Sequence, residues 1–262
     1  MLEPRLINGV VDIAHAAGAK IMGIYAKDFS VYEKTDASPL TEADLAAHHS
    51  IVAGLTALSE LPILSEESAS ISWAERSQWQ RYWLVDPLDG TKEFIKKNGE
   101  FTVNIALIDD GKPVFGVVYA PVLKQTYVGV FGQGAYKISD GERKAIAPRP
   151  HQGNEQWKVV GSRSHQSPEI QAFLDSLGGE AELIAMGSSL KLCLVAEGAA
   201  HLYPRLGPTS EWDTAAAQAV VEAAGGKVTV ITDPAQGLSK DALPLRYNQK
   251  ESVLNPYFLV SC

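Results

Sequence analysis

The chain has 262 residues, of which 45% are hydrophobic and 21% charged, a composition typical of a folded globular protein. Its 23 Lys and Arg against 31 Asp and Glu give a net charge of −8, which argues against a nucleic-acid partner. The two cysteines, Cys193 and Cys262, are too few for a disulfide framework and suit a reducing compartment.

Two helices are predicted at the start of the chain. Apolar side chains recur at three- and four-residue spacing from residue 3 to residue 25, which predicts an amphipathic helix. Charged residues interrupt that stretch, so it does not resemble a signal peptide. The segment SPLTEADLAAHHSIVAGLTAL predicts a second helix, with Thr41 as N-cap and Asp44 completing a capping box. Its expected apolar face carries Leu45, His49, Val52 and Leu55.

The pattern changes to β-strands between residues 82 and 138, in YWLVD, TVNIALID, VFGVVYAP, QTYVGVF and AYKI. Residues 139–156 are polar and rich in Pro and Gly, which indicates a domain junction. Strand and helix patterns alternate after it, and this predicts α/β layering. We expect an N-terminal α+β domain over 1–150, carrying most candidate metal ligands, and a C-terminal α/β domain over 151–262.

No apolar run approaches the roughly 18 residues that a membrane span needs, so no transmembrane segment is expected. We expect a cytoplasmic protein, with peripheral contact at the inner membrane left open.

Two carboxylates end the strand in YWLVDPLDGT. Pro87 fixes its own backbone and Gly90 permits a conformation closed to other residues, so the turn can gather nearby oxygens into one small volume. Those oxygens come from Asp86, Asp89 and the Leu88 carbonyl. Hard oxygen donors suit Mg²⁺. Taken alone, a D-x-x-D pair more often forms an Asx-turn or a helix cap, and both interpretations stay open at this point.

Four further acids have the same double interpretation. Glu66 and Glu67 end another short apolar strand, either as metal ligands or as a solvated turn. Asp213 comes just before an Ala- and Val-rich helix that must be buried, either as an N-cap or as a ligand beside a helix N-terminus. Asp44 is either part of a site or only a capping-box residue.

Three motifs in order, LSEES, WLVDPLDGTKEF and EWDTAAAQAVVEAAGG, resemble the lithium-sensitive, magnesium-dependent phosphatases of the inositol monophosphatase superfamily. Within it, GSSLKLCLVAEGAAHLYPRLGP and LRYNQKESVLNPYF are similar to the bacterial 3′(2′),5′-bisphosphate nucleotidases of the CysQ type. The resemblance implies a layered αβαβα sandwich of the inositol monophosphatase/fructose-1,6-bisphosphatase type. It also implies hydrolysis of adenosine 3′(2′),5′-bisphosphate to AMP and phosphate, with a role in sulfur assimilation and nucleotide recycling.

The resemblance further implies a metal centre. Glu66, Asp86 and the Leu88 carbonyl match the ligands of a first Mg²⁺. Asp86, Asp89 and Asp213 match those of a second, so that Asp86 bridges the two ions. The positions that activate the attacking water and hold a third ion are matched by Asp44, Glu67 and Thr91. A metal-activated water would then attack in line, without a covalent phosphoenzyme.

Substrate binding is implied at two places. Gly90 and Thr91 match the turn whose backbone N–H groups hold the scissile phosphate. The residues matching the positions for the second phosphate and the nucleoside lie in GSRSH, GSSLK and YPR, and they are Ser162, His165, Ser188, Lys191 and Arg205. The expected partners are small molecules, adenosine 3′,5′-bisphosphate and also 3′-phosphoadenylyl sulfate, and the expected assembly is a monomer or a homodimer.

Three alternatives stay open. An enzyme of the same fold could act mainly on inositol monophosphates, fructose-1,6-bisphosphate or another sugar phosphate. A haloacid dehalogenase phosphatase would carry D-x-D-G-T, whereas DPLDGT spaces its acids by three residues and would misplace the second one. A metal-binding protein without catalysis would be expected to have lost carboxylates, and every ligand position here retains its expected donor.

Overall fold

The computed structural model describes residues 2–27, 31–33, 39–68, 70–161, 168–233, 238 and 242–262. Within these ranges the helices are α1 (Pro4–Tyr25), α2 (Glu42–Leu58), α3 (Trp73–Arg76), α4 (Thr91–Ile95), α5 (Pro168–Ser176), α6 (Leu190–Ala196) and α7 (Glu211–Ala224). A 3₁₀ turn spans Glu66–Ser68.

The strands of the first half are β1 (Val31–Glu33), β2 (Pro39–Thr41), β3 (Ile63–Ser65), β4 (Arg81–Asp89), β5 (Thr102–Asp109), β6 (Lys112–Ala120), β7 (Gln125–Val130), β8 (Gly134–Ser139) and β9 (Glu142–Ala145). Those of the second half are β10 (Trp157–Gly161), β11 (Ala181–Ala185), β12 (Tyr203–Arg205), β13 (Lys227–Val230) and β14 (Phe258–Ser261). The strands predicted from 82 to 138 correspond to β4–β8 and are confirmed.

Apart from the separate β1–β2 pair, the strands of the described residues form a larger and a smaller assembly. The larger has the order β3-β4-β5-β6-β7-β8-β9, with β3 parallel to β4 and the other neighbours antiparallel. The smaller joins the β10–β11 pair to β12-β14-β13 through a parallel bridge between Val159 and Leu202. The division into two domains, 1–150 and 151–262, stays a prediction.

Helices cover the sheets in alternating layers. Apolar residues of α1 and α2 pack on one face of the larger sheet, against side chains such as Val103 and Ile105. The opposite face, including Ala106 and Ile108, packs against α6 and α7. The same core continues into β13 and β14 of the smaller sheet, whose far face meets Phe173 of α5. The expected αβαβα sandwich is therefore confirmed.

Helix α7 lies unusually close to the larger sheet. A Cβ built on Gly116 in β6 would sit 2.1 Å from the carbonyl oxygen of Ala216, and one on Gly129 in β7 would sit 2.4 Å from the Cα of Val220. Both contacts are far inside van der Waals distance, so only glycine permits this approach. The close packing fixes the position of the helix N-terminus, which carries Asp213, relative to the sheet.

The buried face of α2 differs from the expected one. Thr41 caps the helix and Asp44 completes the capping box as predicted. The buried residues, however, are Ala43, Asp44, Ala47, Ile51 and Leu55, and Leu45 is 40% exposed. The small alanines and the acid face the interior because this side of the helix lies against β4 and the 3₁₀ turn. Among the described helices, none is long and apolar enough to span a membrane.

Candidate active site

A bulge in β4 brings Asp86 and Asp89 onto one side of the sheet. Asp86 pairs with Asn104 of β5, but Asp89 pairs with Thr102, so β4 contains one residue more than its partner over this interval. Side chains three positions apart on a regular strand point to opposite faces, and one extra residue restores them to the same side. Leu88 donates its backbone N–H to Asp86 Oδ1 at 3.0 Å, which stabilises the bulged turn.

Gly90 closes this turn in the left-handed region, with φ of 95°. A Cβ there would also meet the Glu100 carbonyl oxygen at 3.2 Å, so the position favours glycine on both grounds. Thr91 begins α4 directly afterwards. The first backbone N–H groups of a helix have no partner within the helix, so this turn presents donors beside the acids.

Asp213 lies in the first turn of α7 and completes a capping box with Ser210, which is the N-cap residue. Ser210 donates its backbone N–H to Asp213 Oδ2 at 2.9 Å, and the Asn255 side chain holds the Ser210 carbonyl at 2.8 Å. The expected N-cap role therefore falls to Ser210, three residues earlier, because the helix begins at Glu211. The capping contacts hold the carboxylate of Asp213 at the N-terminus of α7.

Asp86, Asp89 and Asp213 converge, with one carboxylate oxygen of each lying within 4.8 Å of the others. Burial raises the pKa of Asp86 well above its ordinary 3.8, and the negative charges of Glu66 and Asp89 raise it further. Glu66 also makes a side-chain hydrogen bond with Asp86. Burial, followed by the charge of Asp89, raises the pKa of Asp213 to about 8. Carboxylates held this close repel one another unless a cation or protons neutralise them.

This donor set fits Mg²⁺. The carboxylates are hard oxygen ligands, and their mutual repulsion is the liability that a divalent cation removes. The backbone carbonyl of Leu88 lies in the same turn, 3.4 Å from the Thr91 hydroxyl. Glu67 follows Glu66 on the 3₁₀ turn and is half-buried.

Thr91 connects the turn after β4 to α2. Its hydroxyl donates to Asp44 Oδ1 at 3.2 Å. The other oxygen of Asp44 accepts from the Thr41 backbone N–H at 2.8 Å and from the Thr41 hydroxyl at 2.6 Å. The buried Asp44 therefore caps its helix and orients the Thr91 hydroxyl, so the structural and the functional interpretations of this residue are compatible.

The sequence motifs did not point to the residues that hold Asp89. Its Oδ2 accepts from the Ser189 backbone N–H, and it lies 3.4 Å from Asn104 Nδ2 and 3.5 Å from Thr102 Oγ1. Burial nevertheless raises the pKa of Asp89, while the Lys191 ammonium lowers it. The available signal was the polar pair of Thr102 and Asn104 in a strand whose other residues are apolar up to its last residue, Asp109.

The structure brings two of the predicted cations to the acids. Lys191 in α6 interacts with Asp89 and Asp213, and burial lowers the pKa of its ammonium while Asp89 opposes that shift. Arg205 in β12 interacts with Asp213 and donates to the Pro208 carbonyl at 2.8 Å. Ser188 is buried two residues before α6, in the left-handed region with φ of 48°. The predicted contacts from Ser162 and His165 lie outside the described residues.

We expect the melting temperature of the metal-free protein to fall as the pH rises from about 5 to about 8. The folded-state pKa of Asp213, about 8, exceeds its ordinary 3.8, so the folded protein binds more protons than the unfolded chain within this window. The stabilisation is complete below the ordinary pKa and is lost as the pH rises through the folded one. Saturating Mg²⁺ should raise the melting temperature, and by more at higher pH, because it binds the deprotonated acids.

Differential scanning calorimetry at constant ionic strength measures this dependence. Asp213→Asn is the matched control, since it keeps the size and most hydrogen bonds of the side chain while removing its titration. A slope in Asp213→Asn equal to that of the wild type would contradict the interpretation.

Comparison with known proteins agrees with this geometry. Residues 3–256 match the inositol monophosphatase family. The 3′(2′),5′-bisphosphate nucleotidase CysQ of Escherichia coli O157:H7 is 52% identical over 259 residues, covering 98% of this chain and 99% of the relative. The protein of the same name from Aggregatibacter actinomycetemcomitans is 38% identical over 261 residues, covering 99% of this chain and 94% of the relative.

Solved structures give the same result. The crystal structure of CysQ from Bacteroides thetaiotaomicron, described as a bacterial member of the inositol monophosphatase family, superposes with a TM-score of 0.83 at 44% identity, covering 98% of this chain and 96% of the other. The extragenic suppressor protein suhB from Bartonella henselae superposes with a TM-score of 0.76 at 25% identity, covering 98% and 93%. The chain belongs to the inositol monophosphatase family.

Proposed function

We propose that the protein is a Mg²⁺-dependent phosphatase that releases the 3′- or 2′-phosphate of adenosine 3′(2′),5′-bisphosphate, giving AMP and phosphate. The observation that carries the proposal is the convergence of three carboxylates within 4.8 Å at the end of β4 and the start of α7. The relatives named as bisphosphate nucleotidases, up to 52% identical over nearly the whole chain, support the choice of substrate.

The proposed metal centre would hold two Mg²⁺ ions. Their ligands would be Glu66, Asp86, the Leu88 carbonyl, Asp89 and Asp213, and Glu67 would contribute to holding a third ion. When bound, the ions acidify a water molecule and neutralise phosphate oxygens. The five proposed donors belong to β4, α7 and the 3₁₀ turn, so the proposed site draws on three separate elements.

Thr91 and Asp44 supply the proton pathway for the attacking water. Because the Thr91 hydroxyl donates to Asp44, its oxygen is free to accept a hydrogen bond from that water. As the water oxygen forms its bond to phosphorus, its proton passes through Thr91 to Asp44. The bond between phosphorus and the 3′-oxygen breaks, and that oxygen takes a proton from solvent.

The cations beside the acids would select the substrate. Lys191 and Arg205 carry positive charge into a protein whose net charge is −8, so they reverse the field where a second phosphate must bind. Ser188 would donate to the same phosphate. Ser162 and His165 belong to the proposal as nucleoside contacts, and Gly90 and Thr91 as donors to the scissile phosphate. The proposal places the enzyme in sulfur assimilation and nucleotide recycling, with 3′-phosphoadenylyl sulfate as a further substrate.

A phosphate-release panel tests the proposal. We expect kcat/KM with Mg²⁺ to be highest for adenosine 3′,5′-bisphosphate, lower for inositol 1-phosphate and fructose-1,6-bisphosphate, and reduced for all three by Li⁺. No release from the bisphosphate would contradict the proposal. A preference for inositol 1-phosphate would instead indicate a sugar phosphatase of the same fold.

Lys191→Met in the same panel identifies the source of the preference. We expect kcat/KM for the bisphosphate to fall by about ten- to a hundredfold, because a charge-assisted contact to phosphate is lost. The change for inositol 1-phosphate, which has no second phosphate, should be much smaller. Equal losses on both substrates would contradict a role in selecting the nucleotide.

A further inference from the structure

A buried set of hydrogen bonds joins the acid cluster to the loop before α6. The side chains of Thr102, Asn104 and Ser189 are 0%, 1% and 2% exposed, so water does not compete for their polar atoms. Ser189 approaches from the loop, and the other two belong to β5. The set therefore crosses between two separate layers of the fold at the candidate site.

The distances determine how the protons are arranged. Ser189 Oγ lies 2.8 Å from Asn104 Oδ1, which can only accept, so the Ser189 hydroxyl donates there. Thr102 Oγ1 lies 2.9 Å from Ser189 Oγ and therefore donates to it. Asn104 Nδ2 then points towards Asp89 Oδ2, which also accepts the Ser189 backbone N–H. The chain of donors ends on one carboxylate, an arrangement in which each hydrogen bond strengthens the next.

The loop held by these hydrogen bonds is the one proposed to bind the nucleotide. Ser189 lies between Ser188, whose backbone is in the left-handed region, and Lys191, whose ammonium interacts with Asp89. The Gly187 backbone N–H is bound to Glu100 Oε2 at 2.8 Å on the other side. A change in the orientation of the Asp89 carboxylate therefore reaches the backbone of this loop through the N–H of Ser189, in addition to its direct interaction with the Lys191 ammonium.

We propose that Ser189, held by Thr102 and Asn104, is a positioning residue that couples Mg²⁺ binding at Asp89 to nucleotide binding at residues 187–191. This inference rests on the proposed function. With Mg²⁺ bound, the Asp89 carboxylate would keep one orientation, in which the hydrogen bond from the Ser189 backbone N–H holds the loop in its binding conformation. By thermodynamic reciprocity, a nucleotide that fixes the loop raises the affinity for Mg²⁺ by the same factor.

Isothermal titration of Mg²⁺ into the full-length protein, with and without AMP, measures this coupling. AMP is the proposed product and stays unchanged during the titration. The coupling factor is the Mg²⁺ Kd without AMP divided by the Kd with AMP. We expect it to exceed one in the wild type and to fall by about three- to tenfold in Ser189→Ala and Thr102→Val, because Thr102→Val loses the buried hydrogen bond to Ser189 and Ser189→Ala loses that bond and the one to Asn104. Ser189→Ala keeps the backbone N–H, so it tests only the anchoring of Ser189 by β5.

Thr126→Val is the matched control for Thr102→Val. Thr126 is 2% exposed on β7 of the same sheet and shares a hydrogen bond with His15 Nε2 at 2.8 Å. It should lose comparable stability and keep the wild-type coupling factor. Thr102→Ser, which retains the hydroxyl, should also keep it.

The outcomes separate the inference from the proposed function. A wild type that binds neither Mg²⁺ nor AMP contradicts the proposed function. A wild type that binds both with a coupling factor of one overturns the inference alone, as does a factor unchanged in Ser189→Ala and Thr102→Val. Circular dichroism shows whether each variant is folded. If Ser189→Ala or Thr102→Val is not folded, the coupling factor of the other variant tests the inference.

Discussion

Asp86→Asn is expected to abolish most phosphate release and, at the same time, to stabilise the metal-free protein. Asp86 would help to hold the proposed Mg²⁺ ions, whose electrostatic contribution would amount to several kcal/mol, so we expect a loss of about three orders of magnitude in kcat/KM. In the absence of metal, however, the buried carboxylate is a liability, because burial and the charges of Glu66 and Asp89 disfavour its ionised form. At about pH 8 the melting temperature without Mg²⁺ should therefore rise by a few degrees.

Phosphate release and differential scanning calorimetry, each with and without Mg²⁺, check both parts. The stabilisation by Mg²⁺ should shrink in the variant as its apparent affinity falls. Asp140→Asn is the control, since Asp140 is an exposed residue of the β8–β9 turn in the left-handed region, where asparagine is well tolerated. A variant that lost activity and metal-free stability together would indicate misfolding and would contradict the metal-site interpretation.

Asp86→Asn is expected to lower activity but to raise the stability of the metal-free protein. This conflict between activity and stability explains which parts of the fold were predictable. The sequences of β4–β8 are apolar runs separated by turn residues, so these strands can be recognised from the sequence. Helix α1 can be recognised from its regular apolar stripe. These elements form the core and follow hydrophobic periodicity. The acid cluster does not follow hydrophobic periodicity, because it places carboxylates in the interior. Such local conflicts are expected where function, rather than stability, determines the residue.

The spacing of Asp86 and Asp89 shows where sequence reasoning stops. Three residues along a regular strand would separate the two side chains onto opposite faces. The bulge that reunites them is defined by the pairing with Thr102 and Asn104, a long-range register that no local pattern of β4 contains. The same holds for Ser189, because its role depends on which strand lies opposite its loop.

The error on α2 has a related physical cause. Its expected apolar face was assigned from the larger side chains, yet Leu45 is 40% exposed while Ala43, Asp44 and Ala47 are buried. A helix packed closely against a sheet favours small residues at the contact. Asp44 lies on that face because its carboxylate bonds with both Thr41 and Thr91. Periodicity predicts that a helix has a buried side, but a buried, hydrogen-bonded acid can displace that side from the most hydrophobic positions.

Thr91→Val should separate the chemical step from metal binding. The substitution preserves the shape of the side chain and removes the hydroxyl that donates to Asp44 Oδ1. We expect kcat to fall by about two to four orders of magnitude, which is the usual contribution of a positioned proton-transfer group. The Mg²⁺ Kd should change by no more than about twofold, since no proposed ligand side chain is altered. Steady-state kinetics and isothermal titration with Mg²⁺ measure the two quantities.

Thr91→Ser and Asp44→Asn complete the comparison. Serine keeps the hydroxyl and should retain most of the wild-type kcat. Asn at position 44 has a single accepting oxygen, so it keeps the hydrogen bond from Thr91 only by turning its NH2 group towards the Thr41 donors, and it is a far weaker base than a carboxylate. The kcat of Asp44→Asn should therefore fall at least as far as in Thr91→Val if the proton travels from water through Thr91 to Asp44. A normal kcat in Asp44→Asn together with a low one in Thr91→Val would show that Thr91 only orients the water and that the proton leaves by another route.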